Sequence, residues 1–411
     1  MNRELRGDAE RIVRAAIASV LPDEAVRRAL SGMKFPGRII LVSVGKAAWQ
    51  MAKAAMDHLP GKIDTGIVLT KYGHVRHPLE GVLCLEAGHP VPDENSFLGT
   101  QRVLDLTGNL SESDTVLFLL SGGGSALFEN PLIPPAELQD ITAQLLACGA
   151  AITEINTIRK RLSAVKGGRF ARWCAPAKVE AVVLSDVLGD PPDMIASGPA
   201  AADQSTCAQA MEIVRKYSLS LSEQAVECLR QETPKELDNV HMQIIGSVRQ
   251  LCAAAEKACH ALGYETVFLT DQLCCEAREA GRFLGAVLKS HAQTGRKLAF
   301  LAGGETVVHL TGKGLGGRNQ EVALGAAAAL EGMAGACVIS VGSDGTDGPT
   351  DAAGGYADGD TLRSLREQDI ILEEVLRNND AYNALKAIDG LVITGPTGTN
   401  VNDISVALLR P

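Results

Sequence analysis

The sequence predicts two consecutive α/β domains with mainly parallel sheets, and three observations carry that expectation. The chain has 411 residues, more than one hydrophobic core usually serves. Short apolar runs alternate with stretches of helical spacing, the pattern of strands buried between two layers of helices. The pattern pauses in a charged, turn-rich stretch at residues 234–239 and then restarts. The boundary is therefore set at 236/237, giving domains 1–236 and 237–411 with a cleft between them.

The elements follow in order. Residues 4–30 carry helical apolar spacing (Leu5, Ile12, Val13, Ile17, Val20), as one helix or two broken near Pro22. IILVSVG at 39–45 reads as a buried strand leading into a small-residue helix over 46–59. Strands are predicted at 65–70, 82–87 and 115–120, with a helix at 93–110. Helices at 135–150 and 154–173 precede a strand at 179–185 and a helical stretch at 206–233. In the second half, strands at 243–246, 266–270, 298–302, 307–310 and 338–341 alternate with helices near 248–262, 276–292 and 319–330. Strands at 391–394 and 404–409 flank GPTGTN.

Composition excludes several functions. A net charge of -10 with 4% aromatic residues and no long basic run argues against nucleic-acid binding. The ten cysteines form no CxxC pair and read as reduced thiols. The first ten residues are charged, without the apolar core of a signal peptide, and no apolar run approaches the ~18 residues of a membrane span. A cytoplasmic protein is expected.

Glycine-bearing or acidic turns repeatedly follow apolar strands, at the ends where open α/β sheets bind ligands. Lys46 lies in the first such turn, where an ammonium reinforces the positive end of a helix; the plainer reading is a solvated lysine. Ser121-Gly122-Gly123-Gly124-Ser125 ends a buried strand, and its N–H groups and hydroxyls can converge on an anion. GGGSA lacks the second glycine of a hydrolase elbow, and neither a Walker A loop nor GxGxxG is present. Asp186 and Asp190 suit Mg²⁺, which takes one or two carboxylates plus phosphate oxygens, or they form a structural turn. Gly303-Gly304-Glu305 ends another strand, and Arg318 opens a helix where its fork could grip phosphate or simply pair with a carboxylate. GSDGTDGPTD, with Asp344, Gly345, Thr346 and Asp351, reads as a nucleotide- or Mg²⁺-facing turn or a solvated loop. His74, His77 and His89 lie in loops, with substrate contact and structural roles equally open.

Together VGKAA, EAGHPVPDENS, SGGGSAL, EINTIRKRLSAVKGGR, LSDVLGD, IASGP, GGET, GGRNQE, GSDGTDGPTDAAG and TGPTGTNVND resemble the glycerate 2-kinases of the MOFRL family, formerly labelled hydroxypyruvate reductases. The resemblance runs from about Ala9 to Leu408. It implies a Rossmann-like N-terminal domain, an active site in the interdomain cleft, ATP and Mg²⁺, and D-glycerate converted to 2-phosphoglycerate. It implies Lys46 and Arg318 as the catalytic pair. Ser121–Ser125 with Asn319 are then expected at the substrate or phosphate, and Gly303, Gly304, Glu305, Gly345 and Thr346 at the nucleotide. Asp186, Asp190, Asp344 and Asp351 are expected at the metal. The partners are small molecules, with no nucleic acid and no membrane, and a homodimer is the working expectation. The alternatives are an NAD(P)H-dependent hydroxypyruvate reductase and a non-catalytic sugar-acid or nucleotide-binding protein.

Overall fold

The computed structural model describes residues 2–411. It contains two compact units, one of Pro22–Ile245 and one that joins the residues up to Leu21 to Gly246–Pro411. The N-terminal helical stretch does break at Pro22, and its first part, the helix Arg3–Ser19, belongs to the second unit.

The unit Pro22–Ile245 is built on β1 (Ile39–Val44), β2 (Ile63–Lys71), β3 (Val82–Ala87), β4 (Thr115–Leu120), β5 (Lys178–Leu184) and β6 (Val240–Gly246). Their order across the sheet is β3-β2-β1-β4-β5-β6, and the pairs from β3 to β5 are parallel. β1 and β4 are buried at every residue, as apolar runs without alternation require. One face packs Val42, Val44, Phe118 and Val183 against Phe128 and Phe170. The three phenylalanine rings form a mutually tilted cluster with centroids 4.9–5.9 Å apart. The helix Ala48–His58 contacts β1, β2 and β4. A satellite core of Ile141, Leu145, Ile158, Ala210 and Leu229 holds the surrounding helices.

The second unit carries β7 (Glu265–Leu273), β8 (Leu298–Gly304), β9 (Ala336–Gly342), β10 (Gly354–Asp358), β11 (Leu391–Val392) and β12 (Asp403–Leu409). Their order is β11-β10-β9-β12-β8-β7. β7 and β8 are parallel, while β12 lies between β8 and β9, antiparallel to both. β7, β8, β9 and β11 thus point one way, and β10 and β12 the other. The helices Ala277–His291 and Arg318–Leu330 pack on each other and on the sheet through Phe300, Val338 and Ala407. Glycines set their separation: a Cβ on Gly281 would lie 2.0 Å from the Val322 carbonyl oxygen, and one on Gly325 2.4 Å from that of Arg278.

Three local expectations change. The helix expected over 154–173 is two, Ile152–Arg161 and Arg169–Cys174, because Gly167 and Gly168 turn the chain at φ 56° and 81°. The stretch 206–233 is likewise divided into Cys207–Tyr217 and Glu223–Leu229 after Ser218 takes φ 50°. Residues 307–310 form no strand; Val307 makes a single bridge to Glu276. All ten cysteines are unpaired, and among the described residues no helix is long and apolar enough to cross a membrane.

Helix Arg3–Ser19 contacts the helix Val248–Ala261 and strands β9 and β12. Its Asp8, 1% exposed, accepts a hydrogen bond from the Tyr264 hydroxyl at 2.8 Å and pairs with Arg410. Asp8→Ala would leave the buried Tyr264 hydroxyl without its acceptor and Arg410 with only Glu4 and the Tyr264 oxygen. A loss of about 3 kcal/mol is expected, the scale of breaking a buried pair. Urea unfolding of the full chain measures it.

Candidate active site

In a sheet ordered β3-β2-β1-β4-β5-β6 the connections reverse direction between β1 and β4, opening a crevice at their carboxyl ends. The turns that follow these two strands are Gly45-Lys46 and Ser121–Ser125, so two of the sequence-selected motifs meet at one place. Their backbones interlock: the Lys46 N–H donates to the Gly122 carbonyl at 2.8 Å, and the Ser121 N–H to the Val44 carbonyl at 2.9 Å. Gly45 sits at φ 119°, where a Cβ would lie 2.3 Å from Ser121 Oγ. Only glycine allows that approach.

The two hydroxyls of the glycine turn are not free donors. Ser121 Oγ accepts from the Ala47 N–H at 3.1 Å and donates to the Val44 carbonyl, fastening one turn to the other. Ser125 Oγ bonds Ser197 Oγ at 2.9 Å, and Ser197 Oγ donates to Asn156 Oδ1. The Ser125 carbonyl accepts from buried Lys166 at 2.8 Å and from Arg159 at 3.3 Å. What the turn can offer a ligand is therefore its glycine backbone.

Around that backbone stand residues for which a Cβ would leave no room. A Cβ on Gly122 would lie 2.3 Å from Asp186 Oδ2, and one on Gly124 2.7 Å from the Ala196 methyl. A Cβ on Gly123, at φ 86°, would lie 3.0 Å from His89 Cδ2, 3.1 Å from His89 Nε2 and 3.2 Å from Lys46 Cγ. Ala196 and Ser197 are held at φ 50° and 61°, a conformation that costs on the order of 1–2 kcal/mol per non-glycine residue. Their motif, IASGP, had no assigned role in the sequence reading. Asp190 also has positive φ, and its Oδ1 is buried without a hydrogen-bond partner.

In the other unit, Arg318 opens the helix Arg318–Leu330, as its glycine-rich approach predicts. Its Nε donates to Asp403 Oδ2 at 2.6 Å, Nη2 to Asp403 Oδ1 at 3.0 Å, and Nη1 to Glu305 Oε1 at 2.7 Å. Asn402 Nδ2 holds the other Glu305 oxygen at 3.2 Å. Burial raises the Asp403 carboxyl and Arg318 draws it back, leaving it at about 6. Asp347, 2% exposed, caps the helix by accepting the N–H groups of Asn319 (3.1 Å) and Gln320 (2.9 Å). Asn319 is itself buried, its Oδ1 accepting from Ser340 Oγ at 2.6 Å.

The remaining sequence-selected residues of this unit have local partners. Gly303 makes room for Cys252 and Val248, and Gly304 for the Leu273 backbone. Gly345 abuts the Gly395 carbonyl, binding the GSDGTDG turn to the TGPTGT turn. Asp344 Oδ1 accepts from the Thr346 N–H at 2.9 Å and its hydroxyl at 3.1 Å, while Asp351 accepts from the Tyr382 hydroxyl at 2.7 Å. Among the described residues no three His, Cys, Asp or Glu side chains cluster as metal ligands. Asp403 and Asp347 were missed as site residues. The available signal was a carboxylate at the mouth of an apolar strand and one inside an acidic turn.

Residues 8–230 match the family described as domain of unknown function DUF4147, and residues 298–403 match the MOFRL family. A D-glycerate 2-kinase from Thermotoga maritima is 53% identical over 404 residues, covering 97% of both chains. A glycerate 2-kinase from Pyrococcus horikoshii is 40% identical, covering 97% of this chain and 96% of its own. A crystal structure of glycerate kinase from Thermotoga maritima superimposes with a TM-score of 0.95 at 51% identity over 99% of both chains. The chain belongs to the glycerate 2-kinase family, with a DUF4147 region followed by a MOFRL region.

Proposed function

We propose that the protein transfers the γ-phosphoryl group of ATP to the 2-hydroxyl of D-glycerate, giving 2-phosphoglycerate and ADP. One observation carries this reading. In a chain 53% identical to a D-glycerate 2-kinase, the Lys46 turn and the triple-glycine turn meet at the switch point of the parallel sheet. Phosphoryl transfer asks the protein for alignment and charge compensation more than for covalent chemistry.

The roles follow from the residues. The N–H groups at Gly122, Gly123 and Gly124 cradle the glycerate carboxylate or a phosphate, and Lys46 and Arg318 offset the charge of the transferred group. Asn319 supports Arg318 from the same helical turn. The nucleotide is assigned to the turns after β8 and β9, Gly303–Glu305 and Gly345–Thr346. Asp186 and Asp190 fit Mg²⁺: one carboxylate lies over Gly122, and the other has a buried oxygen without a partner. Asp344 and Asp351 are the carboxylates assigned to the metal in the other unit. Bound there, Mg²⁺ would neutralise charge on the phosphate oxygens. The protein acts in the cytoplasm on small molecules.

Incubation with D-glycerate and MgATP, followed by phosphorus NMR, tests the reading; ADP together with 2-phosphoglycerate is expected. Oxidation of NADH by hydroxypyruvate without phosphorylation of glycerate would overturn it.

A further inference from the structure

The phosphoryl acceptor is an alcohol, and some group has to receive its proton. Lys46 stays a charge stabiliser only while it holds its own proton, and Arg318 cannot give one up in a protein. A proton acceptor therefore has to come from another side chain at the glycine turn. His89 meets that requirement by position. Its ring edge, Cδ2 and Nε2, and the Lys46 stem approach the same point above Gly123, a point kept open by the missing Cβ.

The hydrogen bonding of the histidines separates this one from its neighbours. His74 Nδ1 lies 2.9 Å from the Lys46 carbonyl, His77 Nδ1 3.0 Å from the Pro78 carbonyl, and His241 Nδ1 2.7 Å from Glu180. The half-buried His89 ring, among the described residues, has no protein hydrogen-bond partner. Its ring nitrogens are open to solvent, and so to a ligand at the turn. Burial, reinforced by Lys46, Lys71 and His74, also pushes its titration down to about 4, so the imidazole is neutral at physiological pH and has a lone pair to offer.

We propose that His89 accepts a hydrogen bond from the attacking hydroxyl of the substrate at Nε2 and takes its proton as the phosphoryl group arrives. This rests on the kinase reading above. In the step, the hydroxyl oxygen forms a bond to the γ-phosphorus. The bond from that phosphorus to the β–γ bridging oxygen breaks, and ADP leaves with the electron pair. The hydroxyl proton passes to Nε2 and then to solvent. A weak base suffices because the transition state is loose: the proton becomes acidic only once the new O–P bond has begun to form.

The test compares the wild-type chain with His89→Gln and His89→Ala. It measures kcat at saturating MgATP and D-glycerate, calorimetric affinity for D-glycerate, and recovery of His89→Ala by added imidazole. The expected result is a fall in kcat of about 100-fold in both variants, the lower end for general-base catalysis. Glycerate affinity should stay within about threefold of wild type, and imidazole should restore part of the turnover only in the alanine variant. His89→Gln keeps a polar side chain of similar length, so it answers the question if the alanine variant does not fold. The proposal is overturned if kcat stays within about threefold of wild type, or if glycerate affinity falls in step with kcat/KM at unchanged kcat. It is also overturned if a folded alanine variant shows no response to imidazole. If the wild-type chain itself does not phosphorylate glycerate, the kinase reading has failed, whatever the His89 variants do.

Discussion

Arg318→Ala is expected to reduce kcat on the order of 10²-fold or more, the scale seen when a preorganised charge stabiliser is removed. The geometry explains why the effect should be large. Three of the five guanidinium N–H groups are committed, two to Asp403 and one to Glu305, which fixes the plane of the fork and leaves two to face a phosphate. Lysine cannot reproduce that arrangement, so Arg318→Lys should recover little of the rate. Removing the guanidinium strands the buried Asp403 carboxylate; the double variant Arg318→Ala/Asp403→Asn relieves that and separates lost chemistry from lost folding. The helix N-terminus should survive in either case, because its cap comes from Asp347. Steady-state kinetics with a thermal melt of each variant checks this, and turnover close to wild type would remove Arg318 from the mechanism.

The second large effect belongs to Lys46. Lys46→Ala deletes the ammonium but keeps the backbone N–H that donates to Gly122, so the two interlocked turns should keep their shape. A fall in kcat on the order of 10²-fold with an unchanged melting temperature is expected, and it would report the charge alone. Gly123→Ala makes the contrasting case. It forces a side chain into φ 86°, with its Cβ 3.0–3.2 Å from the His89 ring and the Lys46 stem, and should disturb the turn itself. If Lys46→Ala turned over normally, the switch-point lysine would be a solvated side chain after all.

Much of this was legible in the chain because strands buried on both faces write themselves as unbroken apolar runs. IILVSV and TVLFLL named β1 and β4, and the glycine turns behind them followed. β10 was not legible, since GGYAD begins with two glycines. They are there because the neighbouring strand leaves no space: a Cβ on Gly354 would lie 1.9 Å from the Ser340 carbonyl oxygen. Arg318 was legible as a helix-opening arginine, but its partner Asp403 lies 85 positions away and is brought to it by strand order alone. The same holds for His89, whose motif is readable while its approach to Gly123 depends on the packing of two loops. Ser121 and Ser125 show the opposite limit: residue type suggested ligand donors, and the fold spends both hydroxyls on itself.

The composition of the second unit bears on how the chain matures at the ribosome. Its helix Arg3–Ser19 is made before the segment Pro22–Ile245, and its strands β7 to β12 after it. All of Pro22–Ile245 emerges in the interval, with its strands and cores complete. That middle segment can close while translation continues, whereas the amphipathic leading helix has to wait, its apolar stripe of Leu5, Ile12, Val13 and Ile17 uncovered. While Pro22–Ile245 is being made, the polypeptide thus carries an apolar stripe open to aggregation or to capture by chaperones, covered first by the helix Val248–Ala261 and then by β9 and β12.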